Sequence, residues 1–437
     1  MTQSHSDRSA TDAAISWPAI KLKIPLMLGY LASTTSLCIS SVAQLVTFAV
    51  LARHLGVEQF GLLVTITAVT NLAMQLCGLG ATETLVRRVS ADPAIYRDAL
   101  GHHLILIAAT ASIIVPLLAV ALNHFISVSP DGPTNFVALL CFTISNVVLV
   151  RWIFVTEQVF IARFEYGPAN LANIGFAVSR MLTALIACYG FGVTRLSDWA
   201  LWHGGGHLVV AVVCAIVLSR FGRPRWTILI NETKLGFYFC TPYFFLAIRQ
   251  NIDLLVLNVV ATPEVIGSYS VARRILDTST LTVSGLHRLT YPKLAAISAR
   301  GFGQTVRLAR KLLFVVFAIT GLTSVGVFVA APVLPILFGN GFSRTIAYTR
   351  ALCWIGILLG VQEMAAEALG ASGRHAVRAA IYNGGSIVGA IVVATMTYEF
   401  LLDGTVTALY ATESLVALTF WAVMIVMGNR ETVAPSP

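Results

Sequence analysis

Residues 236–260 read GFYFCTPYFFLAIRQNIDLLVLNVV. As a helix this run is about 37 Å long, more than the roughly 30 Å of a bilayer's hydrocarbon core. Apolar residues continue without alternation on both sides of its middle, whereas a strand of a membrane barrel would alternate over about ten residues. A helix is therefore the one conformation that satisfies its backbone in lipid. The middle is the exception, because Arg249, Gln250, Asn251 and Asp253 interrupt the apolar run. Four polar side chains at the midplane must face protein or water, so this span has neighbours and one of its faces does not meet acyl chains.

The rest of the chain repeats that pattern. Of 437 residues 57% are hydrophobic and 11% charged, with a mean hydropathy of +0.81. No water-soluble domain carries so much apolar surface. The reading is an all-α polytopic membrane protein with about 12 spans: 27–52, 60–81, 100–125, 134–157, 169–191, 199–219, 236–260, 265–289, 312–331, 346–369, 377–398 and 405–427. The polar leader lacks a secretory n-region and a cleavage site, so the first span stays in the protein. Cys38, Cys77, Cys141, Cys188, Cys214, Cys240 and Cys353 all fall in spans without metal spacing, and read as small hydrophobes.

Lys and Arg set the expected orientation. Loops on the side of the N-terminus hold 20 of the 29 cations, the opposite loops hold 4, and 5 lie inside spans. The positive-inside rule places both termini in the cytoplasm. It also accounts for the net charge of +9 without a nucleic-acid partner.

Six spans precede the basic stretch RFGRPRWTILINETK and six follow it. The expected organisation is a cytoplasmic leader 1–26, an N-lobe 27–219, a cytoplasmic linker 220–235, a C-lobe 236–427 and a cytoplasmic tail 428–437. Six is even, so both lobes enter from the same side and any repeat is parallel. LGVEQFGLL after the first span and ATPEVIGSY after the seventh align at a spacing of 206 residues, with Glu58 over Glu264 and Gly61 over Gly267.

VLARHLGVEQFGLLVTITAV (50–69), IDLLVLNVVATPEVIGSYSVARRI (252–275), YPKLAAI (291–297) and PILFGNGFSRTIAYTRALCWIGILLG (335–360) together resemble the polysaccharide-transporter family. These are Wzx-type flippases of lipid-linked oligosaccharides, in a superfamily shared with multidrug and toxic-compound extruders. The resemblance implies alternating access by two six-helix lobes around a central, often cationic cavity, with no enzymatic activity. It also implies a bacterial inner-membrane location and a lipid-linked oligosaccharide as cargo. Membrane lipids, and a polysaccharide polymerase or export complex, are the partners it suggests.

Candidate substrate contacts are the charges buried in spans. Asp253 lies one turn after Arg249, close enough to pair with it. That pair reads either as structural glue or as part of a cargo site, which Gln250 and Asn251 would widen. Arg180 and Arg151 in the first lobe and Arg273 and Arg274 in the second extend the set. Adjacent residues diverge by about 100° on a helix, so at most one of Arg273 and Arg274 faces a cavity squarely. Asp277, at i+4, is placed to neutralise Arg273, which leaves Arg274 preferred. Arg151 would otherwise snorkel to headgroups.

Five deep arginines outnumber Asp253 and Asp277, with Glu157, Glu363 and Glu367 nearer span ends. Unpaired guanidinium groups suit a pyrophosphate, which their planar fork binds bidentately. The cargo expected is an undecaprenyl-pyrophosphate-linked oligosaccharide. Asp277, Glu363, Glu367 or Asp253 are candidates for coupling a proton or sodium gradient.

Hydroxyls in STTSLCISSVAQLVT (33–47) and the pairs Gly356 with Gly360 and Gly385 with Gly389 read first as close helix packing. Pro116, Pro242 and Pro332 are candidate kinks or ends. His203 and His207 share a helix face, but zinc needs more ligands than they supply, so no metal and no cofactor is expected. His102 and His103 are expected among headgroups. No hydrolase, P-loop or metalloprotease motif is present. The longest internal loop, about 22 residues between the eighth and ninth spans, leaves little room for a membrane glycosyltransferase or polymerase. The closer alternative is a drug or cation antiporter, which would place acids on the cavity floor.

Overall fold

The computed structural model describes residues 24–126, 136–280, 282–283, 290, 293–294, 296–298 and 300–433. Among them every regular element is helical. In chain order these are α1 (Ile24–Leu76), α2 (Ala81–Ala91), α3 (Tyr96–Ile126), α4 (Phe136–Thr143), α5 (Val150–Ala162), α6 (Tyr166–Leu185) and α7 (Leu196–Ser219). After them come α8 (Ile230–Val260), α9 (Pro263–Ser279), α10 (Phe302–Ala330), α11 (Leu334–Phe338), α12 (Thr345–Leu352), α13 (Ile355–Ala371) and α14 (His375–Val433). Nine helical segments among the described residues are long and apolar enough to cross a membrane.

Two of the nine turn back on themselves, which is where the expected spans and the helices differ most. In α1, Gly56 adopts φ 76°, ψ 168°, and the rings of Phe48 and Phe60 meet edge to face at 5.3 Å. Twelve residues apart on a straight helix they would be about 18 Å distant. In α14 the break is at Leu401 (φ 53°, ψ −134°). A Cβ on Gly389 would lie 2.4 Å from Thr412 Cγ2 and one on Gly385 2.7 Å from Val416 Cγ2. These two glycines let the legs of α14 touch, as expected of small residues in membrane helices. Gly360 does the same for α13 against Thr320 and Val316 of α10, at 2.7 and 3.0 Å. Helix α9 runs only from Pro263 to Ser279, and the rest of the expected eighth span lies largely outside the described residues. Helix α10 begins at Phe302, ten residues before the expected start of the ninth span.

Of the three prolines expected at breaks, Pro332 sits at one, in the 3-10 turn Ala331–Val333 between α10 and α11. Pro116 lies inside the continuous α3, whereas π-helical turns occupy Ile144–Leu149 between α4 and α5 and Ile186–Gly190 after α6. The first widens the helix at Asn146, whose side chain bonds Thr70 Oγ1 at 3.0 Å and His203 Nε2 at 2.9 Å. A π turn redirects one side chain without ending the helix.

One core cluster runs through both halves, including Phe60, Ile66, Phe142, Tyr269, Phe338 and Phe342. Large apolar side chains such as Phe314, Leu322, Tyr238 and Leu171 point outward, as they do where the solvent is lipid. Two hydroxyls of the first leg of α1 bond α6: Ser36 Oγ donates to Asn170 O at 3.2 Å and Ser40 Oγ to Asn173 Oδ1 at 2.9 Å. Six of the seven cysteines are buried or half-buried, and Cys38 is exposed.

Candidate functional site

The polar run of α8 does not pair within itself. Arg249 Nη2 donates to both carboxylate oxygens of Glu413 on α14, at 2.8 and 2.6 Å. Asp253, one turn along, is fully buried and turns elsewhere. It accepts from Tyr269 Oη at 2.7 Å and from Leu254 N at 2.9 Å, and Arg273 Nε stands 3.1 Å from its Oδ2. The expected Arg249–Asp253 pair is thus replaced by two pairs between helices. The reason is geometric: Tyr269 and Arg273 are four residues apart on α9, so both reach one carboxylate and leave Arg249 to the neighbour on its other side. Asp277 also faces Arg273, at 3.8 Å.

All of these charges except Asp253 line a cavity of about 230 Å³. Arg249 and Gln250 of α8, Arg273 and Asp277 of α9, Glu363 of α13 and Glu413 of α14 supply its polar walls. Tyr382 Oη donates to Glu363 Oε1 at 2.8 Å. Three carboxylates therefore meet two guanidinium groups, so this cavity is not the arginine-rich chamber expected. All its walls come from the second half of the chain. Asn251 lies outside the lining and donates to Ala247 O of its own helix. Glu367 accepts from Arg378 at 3.2 Å.

The remaining deep arginines divide. Arg151 of α5 is buried, with Glu83 of α2 at 3.8 Å, so it does not snorkel. Arg180 of α6 and Arg274 of α9 behave otherwise. Each is half-buried over an aromatic face, Arg180 at 5.6 Å from the Phe176 ring and Arg274 at 5.4 Å from the Phe48 ring. Neither has a carboxylate within 4.0 Å among the described residues, and Arg274 Nε is buried without a hydrogen-bond partner. Asp277 acts on Arg274 only across a longer distance. The two arginines come from opposite halves of the chain, and Arg180 lines a small pocket with His203 and His207 of α7. Arg273 and Arg274 thus face different places, as their 100° divergence requires. Stacking on phenyl faces supports a guanidinium that has no acid beside it.

Glu413 is the residue that reading the sequence passed over, together with Glu83. Its signal was present: one carboxylate inside the apolar run 405–427 is as conspicuous as Arg249 in its own. Glu157 is half-buried and hydrogen-bonded to Asn173. The histidines also correct an expectation. His102 and His103 are buried rather than among headgroups. His102 Nδ1 accepts from Leu229 N at 3.2 Å, and both ring nitrogens of His103 are buried without partners. His203 and His207 stack with ring centroids 4.0 Å apart, and His207 Nδ1 bonds His203 O at 2.7 Å.

Residues 26–298 match the family described as polysaccharide biosynthesis protein. The chain belongs to that family. No curated protein sequence matches this polysaccharide biosynthesis family member significantly. Solved structures do. A multidrug resistance MATE family transporter of the MOP superfamily, in an inward-facing conformation, superposes with a TM-score of 0.72 over 92% of this chain and 100% of its own, at 14% identity. The lipid II flippase MurJ, inward closed, gives 0.70 over 91% and 87% at 13% identity. The MATE multidrug transporter DinF-BH gives 0.66 over 96% and 98% at 16% identity. The family member is therefore a multi-pass membrane protein with the fold of MOP-superfamily transporters and flippases.

Proposed function

We propose that this chain is a flippase that carries an undecaprenyl-pyrophosphate-linked oligosaccharide across the bacterial inner membrane by alternating access, with both termini in the cytoplasm. Residues 27–219 and 236–427 form the two lobes, joined by the cytoplasmic linker 220–235. One observation carries this reading: Arg180 and Arg274, one from each half of the chain, are half-buried in apolar surroundings with no carboxylate within 4.0 Å of either among the described residues. Guanidinium groups without an acid beside them inside a membrane protein are costly unless a group of opposite sign visits them. A pyrophosphate carries that sign and fits two planar forks. Its prenyl tail stays in lipid while the head crosses.

The test is flipping by purified protein in proteoliposomes that contain a pyrophosphate-linked oligosaccharide lipid. Replacing Arg180 or Arg274 by Gln is expected to lower the rate at least about tenfold, the usual effect of losing a charge-assisted bidentate contact. Unchanged flipping by both variants overturns the reading.

A cation-coupled drug antiporter is the second reading, and the acid-rich cavity of Glu413, Glu363 and Asp277 favours it. Cation-driven uptake of an organic cation, abolished by Glu363→Gln and indifferent to Arg180→Gln, would decide for it.

A further inference from the structure

The two turns that align at a spacing of 206 residues are in contact with each other. A Cβ on Gly61 would stand 2.1 Å from Pro263 O and 3.1 Å from Gly267 N, and a Cβ on Gly267 would stand 2.3 Å from Val57 O. Pro263 lies 206 residues after Val57, as Gly267 does after Gly61. The contact is therefore its own image: each half presses a glycine onto the carbonyl that is the counterpart of the one it offers. This is how a twofold axis appears when both partners belong to one chain.

Bonds that join the halves gather around this knuckle. Phe60 and Phe342, both fully buried, meet edge to face at 5.7 Å. Thr65 Oγ1, also buried, bonds Asn258 Oδ1 at 3.1 Å, and the Arg53 guanidinium donates to Ile336 O. We propose that Gly61 and Gly267 form the seal on which the two halves close at the Gly56 end, and that the absence of a side chain at both positions lets this end shut. The proposal rests on the alternating-access reading above. The opposing atoms are backbone carbonyls, which cannot rotate aside as a side chain does. Even a methyl group would require the halves to part by roughly 1 Å to restore ordinary contact. Wedges on Gly61 and on Gly267 act from opposite sides of one joint, so they move it the same way.

The experiment uses the full chain in membrane vesicles with Thr65→Cys as reporter, an impermeant maleimide offered at the Gly56 end, and peptide-level mass spectrometry to separate the reporter thiol from the native cysteines. Gly61→Ala and Gly267→Ala are each expected to raise labelling of the reporter by about fivefold or more, the shift that overpacking a rigid contact produces. Gly175→Ala and Gly384→Ala, at positions with open space around them, are expected to leave it unchanged. Labelling that stays at the native level in both knuckle variants overturns the proposal. If neither variant reaches the membrane, Phe60→Leu loosens the same joint from its apolar side, and unchanged labelling there overturns it equally. No cargo enters this assay. A chain that labels as expected yet fails to flip a pyrophosphate lipid refutes only the function, and the converse result refutes only the seal.

Discussion

Arg249 and Glu413 are 164 residues apart in the chain, yet one guanidinium nitrogen bonds both carboxylate oxygens at 2.8 and 2.6 Å. Their side chains are 11% and 8% exposed, so each is the other's principal compensation. Removing one partner leaves a buried charge alone, which costs about 3–5 kcal/mol, whereas replacing both by apolar groups is often neutral. Arg249→Leu is expected to lower thermal stability and membrane yield sharply, and the double variant Arg249→Leu/Glu413→Leu to recover most of both. A double variant as unstable as the single would show that the pair is not what holds α8 to α14.

Arg180 and Arg274 should respond in the opposite sense. Each lacks a carboxylate within 4.0 Å among the described residues, so Arg180→Gln and Arg274→Gln remove a partly buried charge without leaving an acid unpaired. Both variants are expected to melt no lower than the native protein. Added undecaprenyl pyrophosphate should raise the native melting temperature by mass action and leave both variants where they were. Melting curves with and without the lipid check both halves of this prediction.

At the opposite end the halves meet through charge. Glu232 of α8 receives Arg88 Nη2 at 2.7 Å and Arg87 Nη2 at 3.3 Å from α2, beside a close backbone approach of Gly80 to Gly236 O. The arginines are about half exposed, so salt screens this joint more than the glycine knuckle. Glu232→Gln is expected to increase maleimide labelling of the buried Cys240 on α8, and added salt should do the same to the native chain. Labelling insensitive to both would count against a joint held by these ions.

Leu401 holds φ 53° and ψ −134° at the tip of α14, a region that suits glycine and costs other residues about 1–3 kcal/mol. Leu401 is 48% exposed, so only about half of its surface is packed. Leu401→Gly should therefore leave stability unchanged or raise it by about 1 kcal/mol after the added entropy of the unfolded chain. A thermal melt reads this directly, and a marked fall would mean that the leucine side chain holds the turn.

Much of the architecture was legible because it follows from local pattern. Continuous apolar runs mark helices in lipid, and Gly385 and Gly389 mark a close crossing. The two equivalent turns were visible as an offset of 206 residues, although nothing in the residues said that they touch. What pattern does not encode is which helix lies beside which. Arg249 therefore went to its neighbour in sequence, and Glu413 was missed because its partner is 164 residues away. The cavity divided for the same reason, since an acid-rich chamber and a bare arginine pair separate only once Arg273 and Arg274 have directions.

The clamp formed by Gly385 against Val416 and Gly389 against Thr412 has a mechanical consequence. With the two legs interlocked, α14 behaves as a stiff lever, and the carboxylate of Glu413 and the phenol of Tyr382 ride on it together. Parting this lever from α8 breaks the Arg249 grip on Glu413, whereas Tyr382 and Trp421 keep α13 tied to it through Glu363 and Val361 O. The α8 face of α14 is thus the side on which the lever is fastened by charge.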